Sequence, residues 1–325
     1  MKKFIVLFIA CFFTLPIFAL PYDFDFWVKP TYTLQNGVLN EFVIARDSKN
    51  NIYTLSQLNW SVQNISYLGG QTGLEWKYIG VVAGISGAIS SKSGNMEDYD
   101  WLNSSNTSMC TTKSISENTL NTGFHFDISI KGKINPFLNF IINPVVGFSY
   151  DEKTFSGRNA YGWYGSETKP MVSYDDPKAI VKEKGTLLGI DYNRNTWNVY
   201  FGTSFGYSFF NKKLTLLTSV YASPYTYVES LDFHHSDKNG STGTYYYYDK
   251  MTGYFKKWIF GGSVEYNIWK GLSVDTVFDF HLLNKMNGIT YASTSKQTLK
   301  NNLSYTTSAC AGYWWNLSAG LKWTF

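Results

Sequence analysis

Apolar and polar residues alternate one for one along several stretches of this chain, and that period restricts the possible folds more than any other feature. In FHFDISIK, Phe124, Phe126, Ile128 and Ile130 share one face, while His125, Asp127, Ser129 and Lys131 share the other. Leu272, Val274, Phe278, Phe280 and Leu282 oppose Ser273, Asp275, Asp279 and His281 in the same way. The final stretch sets Tyr313, Trp315, Leu317, Ala319, Leu321, Trp323 and Phe325 against Asn316, Ser318, Lys322 and Thr324. Successive side chains of an extended strand point to opposite faces, so a period of two means β-structure.

A soluble sandwich alternates too, so the solvent is decided by what the two faces carry. The polar face repeatedly holds ionisable groups (Asp127, Lys131, Glu265, Asp275, Asp279, His281), which suits a wet lumen and not a sandwich core. Aromatics crowd strand ends, as in Tyr313, Trp314, Trp315, Trp323 and Phe325, where an interfacial girdle sits. A mean hydropathy of -0.20 is too polar for a bundle of membrane helices. Strands in lipid must close on themselves because no water satisfies an open edge. The reading is an all-β, ten-stranded antiparallel transmembrane β-barrel.

The strand count comes from the connections. Tight turns are expected at Gly69-Gly70, Asn135-Pro136, Asn211-Lys212-Lys213 and Trp269-Lys270-Gly271, and longer polar loops near 45–53, 91–118, 152–190, 230–252 and 291–303. Short turns belong on the periplasmic side and long loops outside the cell. Residues 1–20 carry Lys2 and Lys3, an apolar run and Ala19, the pattern of a secretory signal peptide, leaving 21–325 as one barrel domain in the outer membrane. Export puts Cys110 and Cys310 in a disulfide-permissive compartment, where a bridge and two free thiols are equally compatible with the sequence. A net charge of +4 without any Lys/Arg run argues against nucleic acid as a partner.

Two clusters carry chemistry. In GNMEDYDW, Asp98 and Asp100 lie two apart and project to one side of an extended segment. Two neighbouring carboxylates repel, so one can hold a proton near neutrality and the pair can position a water. In VESLDFHHSDKNG, Asp232 and His234 have the same spacing, so the carboxylate can reach the imidazole, fix its tautomer and make it a general base. His235 is the rival base. No third His or Cys stands near enough to suggest a metal site, and Cys110 has no activating neighbour. His125 and His281 read as polar fillers of the lumen, Tyr245 to Tyr248 as an exposed loop tip or lipid-edge contact, and Asp237, Asn239 and Gly240 as turn residues.

These residues together resemble the omptin family of outer-membrane aspartic-type proteases. Ser56-Gln57-Leu58-Asn59-Trp60 is similar to a family strand, with Asn59 for its Asp. Gly94-Asn95-Met96 with Asp98, Asp100 and Trp101 matches a family loop, and Asn121, Phe126-Asp127 and Lys131-Gly132 fit the strand that follows. Val228-Glu229-Ser230 leading to Asp232 and His234 resembles the Asp-x-His loop, two residues short ahead of the Asp, and Ala319 to Phe325 nearly repeats the family ending.

The resemblance implies a peptidase that cleaves peptide or protein substrates at the outer rim of a monomeric barrel. Asp232 orients His234, which takes a proton from water, and Asp98 and Asp100 hold that water without any acyl-enzyme. It further implies a preference for basic residues, with Glu41 receiving the basic side chain and Glu229 substituting for a second acid expected near Ser230. It needs no cofactor beyond a possible lipopolysaccharide requirement: Tyr150 and Glu152 match a lipid-binding pattern whose Arg is Thr154 here, with Lys153, Arg158 or Arg194 as replacements. The alternatives are a non-catalytic omptin-like barrel acting as an adhesin, and a porin.

Overall fold

The computed structural model describes residues 24–185, 189–235 and 245–325. Ten staves run in chain order: β1 (Asp25–Arg46), β2 (Ile52–Glu75), β3 (Ile79–Ala88, continued by Lys92–Asp100), β4 (Thr112–Gly132), β5 (Phe140–Tyr164), β6 (Ile190–Phe209), β7 (Leu214–His234), β8 (Tyr245–Gly253, continued by Lys257–Trp269), β9 (Leu272–Ser293) and β10 (Thr307–Thr324). Each stave is antiparallel to the next, and β10 pairs back onto β1 from Trp27 opposite Thr324 to Ile44 opposite Thr307. Closure removes the free edges that lipid could not satisfy. The expected signal segment and Asp237, Asn239 and Gly240 lie outside the described residues.

Alternation sorts the side chains as the sequence indicates. Val81, Ile128, Ile130, Val146, Phe201, Phe205, Val264, Phe278, Leu317 and Leu321 are all exposed on the outer face, forming an apolar band in the half nearer the tight turns. The inner face of that half carries paired charges: Lys29 with Asp275 at 2.6 Å, Glu75 with Lys131 and Lys133, and Glu265 with Lys322. Asp127 and Lys131 do not pair, because Asp127 accepts from Tyr200 and Lys131 is turned to Glu75. His125 bonds Asp151 and His281 bonds Asn316, around a polar cavity of about 140 Å³.

Several expectations are corrected. Gly69 and Gly70 lie inside β2, and the turn falls at residues 76–78. A Cβ on Gly69 would sit 2.3 Å from the Ile85 carbonyl oxygen, so this glycine serves close strand approach instead of a turn. Trp314 points inward and stacks on His281 with ring centroids 4.9 Å apart, because only Tyr313 and Trp315 of that triplet share the outer face. Much of the polar sequence assigned to loops is strand. The 25 residues of β5 span about 80 Å along the strand, far more than the roughly 25 Å height of an apolar band. The staves therefore continue beyond the band, with Asn193 and Asn195 on the outside of β6 and Asn284 and Asn287 on the outside of β9.

Above the cavity the lumen is dry. Trp60 stacks on Tyr192 (5.1 Å between centroids) and on Phe155 (5.7 Å). Leu39, Leu58, Val62, Ile65, Met96, Val228, Met251, Leu283 and Met286 pack around that stack, all nearly inaccessible. This septum closes the barrel between the polar cavity and the rim away from the tight turns.

Candidate active site

A bulge aims the first pair of carboxylates. Register slips between Lys92 and Asn95, where Gly94 adopts φ +80, a left-handed conformation that favours glycine. Ser93 faces inward before the slip, and Met96, Asp98 and Asp100 face inward after it. Ser56 on β2 donates to Asp98 Oδ1 at 3.2 Å. Burial raises Asp98, and the neighbouring Asp100 charge raises it further. Burial likewise pushes Asp100 up to about 6, against the opposing pulls of Ser56 and His234.

On β7, four staves around the ring, Asp232 and His234 point into the same crevice. Their side chains are 5% and 39% exposed, and His234 Nε2 lies 2.7 Å from Asp232 Oδ2. With Nε2–H given to Asp232, Nδ1 is the nitrogen left to accept a proton. Burial favours the neutral ring, but the charge of Asp232 and its hydrogen bond, followed by the charges of Asp98 and Asp100, prevail and lift His234 to about 9. That coupling brings the two half-sites together at one end of the cylinder, beyond the apolar band. His235 does not join them. It faces outward, bonding Asp191 at 2.8 Å beside Arg158, which pairs with the same carboxylate.

Glu41 on β1 lies at the base of the crevice, 4% exposed, and accepts from Trp60 Nε1 at 3.3 Å. Burial raises it, and so do the charges of Asp232 and Asp249. The structure does not bring Glu229 to this group. Three residues from Asp232, it falls on the opposite face of β7, where Tyr227 and Tyr248 donate to it. Two residues missed by sequence reasoning do face the crevice. Asp249 is buried opposite Ser230, and Tyr247 sets its ring edge-on to His234 at 5.4 Å. Tyr245 to Tyr248 are thus the start of β8 and not a loop tip; only strand register reveals where they point.

Tyr150 and Glu152 of the expected lipid pattern lie side by side, Tyr150 donating to Glu152 at 3.4 Å, while two of the basic replacements face inward. Lys153 and Arg194 are buried on the inner face, Arg194 donating to the Ala311 carbonyl. Thr154 is bonded by Asn193, and Arg158 is committed to Asp191. Cys110 and Cys310 are free thiols.

With this geometry in hand, comparisons place the chain. The omptin family model matches residues 31–325. Protease 7 of Escherichia coli (strain K12) is 31% identical over 117 residues, 35% of this chain and 36% of that protein. The plasminogen activator of Yersinia pestis is 28% identical over 111 residues, 34% of this chain and 35% of its own length. The aligned stretches thus cover only about a third of either relative. The crystal structure of the outer membrane protease OmpT from Escherichia coli superposes with a TM-score of 0.78 at 21% identity, covering 93% of this chain and 97% of that one, which shows a common fold. Matched over nearly its whole length by the family model, the chain belongs to the omptin family.

Proposed function

We propose that this protein is an outer-membrane endopeptidase that hydrolyses peptide bonds by direct attack of water, preferentially beside basic residues, with its site facing outward. One observation carries the reading: His234, tethered to Asp232, lies within electrostatic reach of Asp98 and Asp100 across a single crevice. Water bound between them gives a proton to His234 Nδ1 as its oxygen bonds the scissile carbonyl carbon. Asp98 and Asp100, across the crevice, accept the water's other hydrogen and hold its oxygen against the scissile carbonyl. Collapse breaks the C–N bond, and His234 returns its proton to the leaving amine. Glu41 supplies negative charge for a basic substrate side chain. No nucleophilic Ser or Cys is required.

The test is mass-spectrometric profiling of cleavage by the refolded chain on a diverse peptide pool. Asp98→Asn and His234→Ala should each lower kcat/KM by about 10²–10⁴-fold, and His235→Ala should not. A folded wild-type barrel that cuts nothing would sink the proposal.

A further inference from the structure

Behind the dyad, two buried acids face each other without a cation. Glu41 receives a single indole N–H, from Trp60. Asp249, 3% exposed, accepts from Thr290 at 2.7 Å and from Ser230 at 3.2 Å. Among the described residues no Lys, Arg or His lies within ion-pair distance of either. Asp232, also within electrostatic reach of both, keeps its buried Oδ1 without any donor.

The strand register explains how this came about. Ser230 on β7 and Asp249 on β8 are direct cross-strand partners, and both point inward. Side chains at paired positions project to the same face with Cβ atoms about 5 Å apart, so a carboxylate and a hydroxyl can exchange places while the acid stays in the same pocket. Anions gathered over a dry floor and left one donor short are complementary to a group that is both cationic and rich in N–H.

We propose that Asp249, delivered from β8, is the second specificity-determining acid of the substrate pocket, with Ser230 as the hydroxyl that orients it. This rests on the peptidase reading above. Glu41 and Asp249 would then hold one basic substrate side chain between them, and Asp232 Oδ1 would accept one of its N–H groups.

The experiment uses the full refolded chain and peptides that differ only in carrying Arg or Gln beside the scissile bond. Asp249→Asn should reduce the Arg-over-Gln ratio in kcat/KM by about thirtyfold or more, mainly through KM, since it leaves a buried charge without its partner. The exchange Ser230→Asp with Asp249→Ser should recover most of that selectivity. An unchanged ratio in Asp249→Asn, or a folded exchange variant no more selective than Asp249→Asn, overturns the inference. Should Asp249→Asn fail to fold, the exchange variant decides alone, since it keeps the pocket's charge. Calorimetry of arginine amide binding to Asp98→Asn, with and without Asp249→Asn, provides an arm independent of turnover. A wild type that cuts nothing would sink the peptidase reading, while binding that ignores Asp249 would sink this one.

Discussion

In the proposed mechanism His234 is the base, and its environment sets a pH dependence with a definite sign. The ring titrates near 9, above its ordinary 6.5, so the dyad's stabilising attraction is complete below about pH 6.5 and fades as pH rises through 9. The base must be neutral to accept a proton. Turnover should therefore climb over that same interval, with kcat/KM still rising at pH 8. Because the Asp98 charge is one of the influences lifting the ring, Asp98→Asn should move the imidazole titration to lower pH, read by NMR on the folded barrel. A midpoint that stays put or moves to higher pH would contradict the arrangement. At this scale parity explains what the sequence reveals and what it conceals. Asp98 with Asp100, and Asp232 with His234, are separated by two and were legible as pairs. Glu229 is separated from Asp232 by three, so a period of two already excludes it. Asp249 could not be found this way, since only the pairing of β7 with β8 places it against Ser230.

Among the elements, β3 shows how a local backbone device serves the site. Gly94 absorbs one extra residue and reverses the phase of the strand, so that Asp98 and Asp100 enter the crevice. A Cβ there would meet Gln63 Oε1 at 2.6 Å, in a conformation that costs an L-residue about 1–2 kcal/mol. Gly94→Ala should therefore lower kcat/KM by about tenfold or more through misplaced carboxylates, while the barrel still refolds; a variant with wild-type kinetics would show that the bulge is not needed. Strand existence was legible in β4, β9 and β10 because an apolar outer face alternates with a polar lumen. The upper staves read as loops because beyond the band the outer face turns polar, and the few apolar inward residues there, such as Met96 and Phe155, are too widely spaced to mark the period.

For the molecule as a whole, the septum decides between a pore and a cup. Trp60, Phe155 and Tyr192 stack inside the closed sheet with a buried apolar cluster around them, so the folded wild type should carry no steady open-channel current in a planar bilayer. A sustained porin-like conductance would refute this. Trp60→Ala should destabilise the barrel by about 3–5 kcal/mol in denaturant unfolding and remove the one hydrogen bond that Glu41 receives; a loss below about 1 kcal/mol would mean that the stack is not a packed core. The same stopper dictates traffic. A tube sealed part-way down has one mouth, so under the proposed reading fragments cut at the rim would leave by the opening through which the substrate came. Anything gained from such digestion would then have to enter through some other door.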